Sequence, residues 1–243
     1  MTRIFAHRGV SARYPENTIR SFEAAFRTGC DGIELDVQMS SDGELVVIHD
    51  ETVDRTTDGS GRVRDMSLAQ LRELDASAAF AGEYGRNPIP TLDEYLDLAA
   101  GTGKVTNIEL KNGIYRYPGM EERLVAMIRA RGLERRVIFS SFNHQSAAAC
   151  ARLCPEAEIA FIESAWLLGA GAYCEAHGAA YLNPRHSFLT VENAAELAAH
   201  GVRAQAWTVD DPAEVRRLAA LGVDSIISND PAAAMAALAA AES

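Results

Sequence analysis

The chain has 243 residues, 48% of them hydrophobic, and 23 Lys and Arg against 34 Asp and Glu give a formal net charge of -11. That length and apolar content suit one large α/β domain with a sizeable core, and the acidic balance disfavours nucleic acid and anionic lipid surfaces as partners. The N-terminus, MTRIFAHRG, carries no apolar signal segment, and the Ala-rich run near residues 232–241 is too short to span a bilayer; the expectation is a cytoplasmic protein without stable membrane insertion.

In chain order, a first strand is predicted at 3–7, where the apolar Ile4–Ala6 runs straight into His7-Arg8-Gly9. A strand that only filled a core would end in turn residues, whereas this one presents an imidazole and a guanidinium, and an anion is expected there. A helix over 17–28 follows, with Asn17 as its candidate cap, Glu16 as either a cap neighbour or a group orienting the site, and Gly29 as its stop. The second strand, 32–37, lies in GIELDVQ. Leu45–His49 comes only a few residues later, too soon for a parallel crossover, and must turn back antiparallel. A turn centred on Ser41-Asp42 places His49 opposite Glu34 on one face of the ribbon.

Residues 51–91 are rich in Thr, Asp, Gly and Arg around one short amphipathic helix, 67–74. They read as a small inserted subdomain, 40–90 with the hairpin, over the mouth of a single catalytic domain, 1–243. Beyond it, strands predicted at 105–111, 136–141, 158–162, 179–182, 202–208 and 223–228 alternate with helical stretches such as 91–99, 119–130, 143–153, 191–200 and 212–221. Eight such units imply a (β/α)8 TIM barrel. A doubly wound open sheet is the alternative, disfavoured because no Gly-x-Gly-x-x-Gly follows the first strand. The four cysteines, Cys30, Cys150, Cys154 and Cys174, read as reduced, buried thiols.

In GIELDVQ the apolar Ile33, Leu35 and Val37 alternate with Glu34, Asp36 and Gln38; in NIELK, Ile108 and Leu110 alternate with Asn107, Glu109 and Lys111. Helices cover the outside of a βα array, so the apolar faces belong to the helix layer and the charged faces point into the barrel. Buried carboxylates are costly unless paired or bound to a cation. Glu34, Asp36 and Glu109 therefore form a candidate all-oxygen site for Mg²⁺ or Ca²⁺, since residues two apart on a strand are only ~6.6 Å apart. His7 and His49 suit a general acid and base, and Arg8 and Lys111 suit a phosphoryl group. Trp207 and Phe142 are candidate pocket residues; His144, His177, His186 and His200 lie without evident partners and receive no role.

Several motifs together, HRG at 7–9, PENT at 15–18, GIELDVQ with DGELVVIHD, DETVDRTTDGSGRVRDMSLAQLRELDA, and NIELKNG with YPGMEERL, resemble the glycerophosphodiester phosphodiesterase family over nearly all of residues 3–131. The second half matches more thinly, through Ser140-Ser141-Phe142, Trp207-Thr208-Val209 and Ser228-Asn229-Asp230-Pro231. The resemblance implies a (β/α)8 barrel with an insertion after strand two that hydrolyses glycerophosphodiesters to glycerol 3-phosphate and an alcohol with a divalent metal. It further implies His7 and His49 as the acid/base pair, Glu34, Asp36 and Glu109 as metal ligands, and Arg8 and Lys111 as phosphate contacts. Related sequences often carry Asn where this chain has Asp210, and the extra charge is expected to bear on head-group preference. A phospholipase D-like hydrolase of intact or lyso-phospholipids, and a non-catalytic phosphate-binding barrel, are the competing readings.

Overall fold

The strand–helix alternation closes on itself. The computed structural model describes residues 1–80 and 82–240. In it β1 (Arg3–His7) pairs in parallel with both β2 (Gly32–Met39) and β9 (Ser225–Ser228). The circuit is completed by β4 (Val105–Leu110), β5 (Val137–Ser141), β6 (Glu158–Glu163), β7 (Tyr181–Pro184) and β8 (Arg203–Ala206), all parallel. The fold is a (β/α)8 TIM barrel. Outside it lie α1 (Ile19–Thr28), α3 (Leu92–Ala100), α4 (Met120–Ala130), α5 (His144–Leu153), α6 (Ala170–Ala176), α7 (Val191–Ala199), α8 (Pro212–Ala220) and α9 (Pro231–Ala239). Among the described residues no helix is long and apolar enough to cross a membrane.

Two of these helices, α6 and α9, were expected only as part of the strand–helix alternation, without bounds of their own. The Ala-rich α9 offers almost no polar face to give it a period, and its start is set instead by Pro231 in the first turn and by Asp230, whose carboxylate accepts from the Ala233 N–H. Thr18, not Asn17, caps α1, its hydroxyl accepting from the Ser21 N–H. All four cysteines are free and buried.

Packing is stratified. The apolar faces of β2 and β4, with Ile33, Leu35, Val37, Ile108 and Leu110, join Phe22, Leu92 and Leu96 from the helices in the main core between barrel and helix layer. Inside the barrel, Phe5, Ile138, Ala160, Tyr181 and Ile227 form a second, smaller apolar cluster. Gly32 belongs to that interior, and a Cβ there would stand 2.3 Å from the Phe5 ring. The missing side chain on β2 is thus the space that Phe5 on β1 fills.

A third cluster, built on Val46, Ile48, Val53, Val63, Leu71 and Ile89, gives the segment between β2 and α3 a core of its own. It contains β3 (Leu45–Val47) and α2 (Leu68–Glu73), whose Ser67 and Gln70 form a reciprocal capping box. β3 runs antiparallel to β2, with Val37 opposite Val47 and Met39 opposite Leu45. This corrects the expected register by one residue, because the tight turn is centred on Asp42, with Gly43 at φ 86°. Continued, the ladder would set His49 opposite Leu35, facing the helices. The ladder instead stops after the Ile48 N–H donates to the Asp36 carbonyl, and the chain leaves the sheet before His49.

Gly32→Ala should destabilise the protein by about 1–3 kcal/mol through overpacking, and adding Phe5→Leu should recover part of that loss. Thermal melts of the two single variants and the double variant measure the coupling; strictly additive losses would contradict this packing.

Candidate active site

Register places the charged groups. His7 stands beside Glu34 in the β1–β2 ladder, and Asp36 beside Glu109 in the β2–β4 ladder. All three carboxylates are buried, Asp36 completely, and one oxygen from each lies within 4.8 Å of the others. Arg8 reaches them by an unusual turn: its φ of 56° is left-handed for a side-chain-bearing residue, and the strand ends there. Gly9 follows at φ 84°, where a Cβ would meet Ser21 at 2.3 Å, so α1 packs directly on this loop. The Arg8 guanidinium then faces inward, its Nε 3.0 Å from Asp36 Oδ2 and its Nη1 2.9 Å from Glu16 Oε1. Lys111 Nζ donates to Glu109 Oε1 at 2.8 Å.

Three buried carboxylates against two cations leave the site short of positive charge. Burial, with the neighbouring charge of Asp36, pushes the Glu34 carboxyl well above the usual range, and burial also raises Glu109. For Asp36 burial works in the same direction, but Arg8, His49 and Lys111 outweigh it and hold the carboxyl well below its ordinary value. Asp36 Oδ1 has no hydrogen-bond donor although it is buried. An acceptor-only oxygen left open in a cluster of hard oxygen donors fits a divalent cation, and the triad could hold one.

The histidines are braced differently. His7 Nδ1 lies 2.6 Å from Asn229 Oδ1 while its Nε2 is 3.8 Å from Glu34 Oε2; burial, then Arg8, lowers its pKa to about 4. His49 Nδ1 lies 2.5 Å from Asp50 Oδ1, and its Nε2 accepts from Lys111 Nζ at 3.2 Å. Arg55 ties Asp50 to Glu16, which in turn holds Arg8. The Asp50 carboxyl falls to about 2 against the effect of burial because Arg55 and His49 donate to it. Gln38 donates to the carbonyls of His49 and Asp50 and accepts from the Tyr117 hydroxyl. This explains how His49 enters the site without a ladder partner: an inward residue of β2 holds its backbone.

Beside the triad opens a cavity, continuous with solvent and floored by Asn107, Ser140 and Asn183. Each of these three has a buried side-chain oxygen without a partner. Phe142 and Trp207 form its wall, edge to face with centroids 5.9 Å apart. The sequence-predicted residues His7, Arg8, Glu34, Asp36, His49, Glu109, Lys111, Phe142 and Trp207 are thus brought to one end of the barrel.

Asp210, expected to bear on head-group choice, does not line the cavity. Its carboxylate accepts from the Asn229 N–H, the Asn229 Nδ2 and the Ser228 hydroxyl. Nor are the remaining histidines unpartnered: His186 pairs with Glu214, His200 with Glu175, and His144 stacks on Phe161. Sequence reasoning gave no site role to Asn229, Gln38, Asp50, Arg55 or Asn183. Gln38, Asp50, Arg55 and Asn229 each lie within a motif quoted above, and Asn183 had no local signal.

A model of the glycerophosphoryl diester phosphodiesterase family matches residues 7–233. A glycerophosphodiester phosphodiesterase of Caldanaerobacter subterraneus subsp. tengcongensis is 42% identical over 95% of this chain and 95% of its own length. One of Bacillus altitudinis is 41% identical over 95% and 96%. A solved phosphodiesterase of Oleispira antarctica, in complex with the product sn-glycerol-3-phosphate, superimposes with a TM-score of 0.88 at 31% identity, covering 98% of this chain and 97% of its own.

A carboxyl whose pKa is raised by folding costs stability as the pH climbs through that raised value. Glu34→Gln removes that cost, so in chelator at alkaline pH it should melt about 3 °C above wild type. Saturating Mg²⁺ should raise the wild-type Tm by about 5 °C and the variant's by less than half as much; equal responses would remove Glu34 from the cation site.

Proposed function

The chain belongs to the glycerophosphodiester phosphodiesterase family, and from that premise we propose that it hydrolyses small glycerophosphodiesters, such as glycerophosphocholine and glycerophosphoethanolamine, to sn-glycerol 3-phosphate and an alcohol. In this reading Glu34, Asp36 and Glu109 hold Mg²⁺ or Ca²⁺, His7 and His49 are the acid/base pair, and Arg8 and Lys111 bind the phosphate. The observation that carries it is the register: two adjacent ladders set His7 against Glu34 and Asp36 against Glu109, and His7, Arg8, Glu34, His49 and Glu109 line one cavity. The segment 40–90 is then an insertion within one catalytic domain, contributing His49, Asp50 and Arg55 to the site from its side of the mouth.

When bound, the divalent ion neutralises charge on the phosphoryl oxygens and polarises phosphorus toward attack. The chain's own groups do the rest. Arg8 and Lys111 donate to the phosphoryl oxygens, offsetting their negative charge and orienting the group. His7 Nε2, with its proton-bearing Nδ1 turned to Asn229, offers its lone pair to the proton of the attacking oxygen, which is either water, giving sn-glycerol 3-phosphate directly, or the glycerol hydroxyl, giving a cyclic phosphate that a water then opens to sn-glycerol 3-phosphate. As the new P–O bond forms, that oxygen's proton passes to Nε2, and the bond to the head-group alcohol breaks. His49 supplies the proton that the departing alkoxide needs. Its Nδ1–H is held by the ionised Asp50, and once Lys111 turns to the phosphate its Nε2 is free to carry that proton.

The glycerol end fits the cavity floor. Polyol hydroxyls can satisfy the unpaired oxygens of Asn107, Ser140 and Asn183, and the faces of Phe142 and Trp207 shield its carbon chain. The head group then points to solvent.

Chelated protein should release no glycerol 3-phosphate from glycerophosphocholine, and Mg²⁺ or Ca²⁺ should restore release. His7→Ala should lose about 10³-fold or more with any leaving group. His49→Ala should lose as much with choline but come within about tenfold of wild type when a p-nitrophenol ester leaves; the opposite pattern would exchange the two roles. Ser140→Ala should raise KM for glycerophosphocholine by about fivefold, and leave hydrolysis of bis(p-nitrophenyl) phosphate, which has no glycerol, unchanged. Equal effects on both substrates would remove Ser140 from glycerol recognition.

A further inference from the structure

Behind His7, on the side away from the carboxylate triad, a short chain of hydrogen bonds runs to the surface. His7 Nδ1 lies 2.6 Å from Asn229 Oδ1. The Asn229 Nδ2 donates to Asp210 Oδ2 at 2.6 Å, and the Asn229 backbone N–H donates to Asp210 Oδ1 at 2.8 Å. The Ser228 hydroxyl adds a third donor to the same carboxylate, at 2.9 Å. The segment carrying Asp210 is fixed to the barrel by the Val209 N–H, which donates to the Ile227 carbonyl of β9.

A carboxamide can present either end to a neighbour, and its neighbours decide which. Ser11 does not decide here: its hydroxyl is 2.8 Å from Asn229 Oδ1 and 2.7 Å from the His7 carbonyl, and a hydroxyl can accept as readily as donate. Asp210 does decide. An ionised carboxylate only accepts, so the Asn229 Nδ2 must face it and Oδ1 must face the imidazole. An acceptor against Nδ1 requires the proton on Nδ1, which leaves the lone pair on Nε2 at the cavity.

We propose that Asp210, acting through Asn229, is a positioning residue that sets the tautomer of His7, holding its Nε2 unprotonated toward the reacting centre. This rests on the reading of His7 as the base and assigns a cause to its readiness: a carboxylate two residues' contacts away, outside the cavity and touching no substrate. Replacing it by asparagine keeps its size and lets it donate. The 210 and 229 amides can then satisfy each other in two orientations, one of which turns Nδ2 on His7 and moves the ring proton to Nε2.

The test is long-range proton–nitrogen correlation on Mg²⁺-loaded protein labelled with ¹⁵N-histidine, at about pH 8, where an imidazole is neutral. The His7 signals are identified by their loss in His7→Ala. Wild type should show only the Nδ1–H form. Asp210→Asn should show a population of the Nε2–H form, with kcat for glycerophosphocholine down about three- to tenfold and KM changed by less than about twofold. Asp210→Ala, which removes the acceptor, should also admit the Nε2–H form, so that misfolding of one variant leaves the other to decide. An Nε2–H ring in wild type, or a folded variant that keeps only Nδ1–H, overturns the proposal. If instead His7→Ala keeps its activity, the base reading fails by itself, and the tautomer spectra still report on Asp210.

Discussion

Three carboxylates converge inside the mouth of a closed barrel, and most of the local architecture serves that concentration of charge. Glu34, Asp36 and Glu109 cannot turn outward, because the opposite parity of their strands carries the apolar residues that bind the helix layer. Their repulsion is met in two ways. Arg8 and Lys111 are drawn against them, and what charge remains calls for a divalent ion or for a proton on Glu34, whose carboxyl is raised accordingly. The left-handed turn at Arg8 makes sense in this setting: its cost, of order 1–3 kcal/mol, aims a guanidinium at Asp36, the most deeply buried of the three carboxylates.

Around the triad the interior is graded. Phe5, Ile138, Ala160, Tyr181 and Ile227 close the barrel with apolar contacts. Above them a polar belt follows, in which Asn107 and Asn183 both donate to Gln205 Oε1, at 2.6 Å and 3.1 Å. Asn107 and Asn183 line the cavity, and the charged groups stand beside it. Polarity increases toward solvent, and the candidate site groups stand at strand ends instead of on free loops. His49 is the exception, and Gln38 and Asp50 supply what the ladder does not.

Period-two alternation in GIELDVQ and NIELK made the triad legible before any coordinates, because helices on the outside of a βα array leave only one direction for charge. The barrel was legible for the same reason, through repeated strand–helix units. The hairpin register was not: whether the turn centres on Asp42 or half a residue earlier depends on the conformation of Gly43, which composition does not reveal. His49 reaches the site although the register argument for it fails, since its backbone is held by Gln38 and not by a strand partner. Asn229 was hidden for a different reason. It meets His7 across the closure of the barrel, at the far end of the chain, and no local period records a contact between first and last strands. Asp210 stood out as a departure from related sequences, yet its role lay behind a histidine and not in front of a head group.

Equilibrium dialysis of the wild-type chain and Glu109→Gln against Mg²⁺ or Ca²⁺, with bound ion counted by atomic spectroscopy, tests most directly whether the buried triad is a cation site. One ion per wild-type chain and none retained by the variant are expected, with hydrolysis of glycerophosphocholine following occupancy. A wild-type chain that retains no ion and hydrolyses the diester undiminished in chelator would contradict a cation site there.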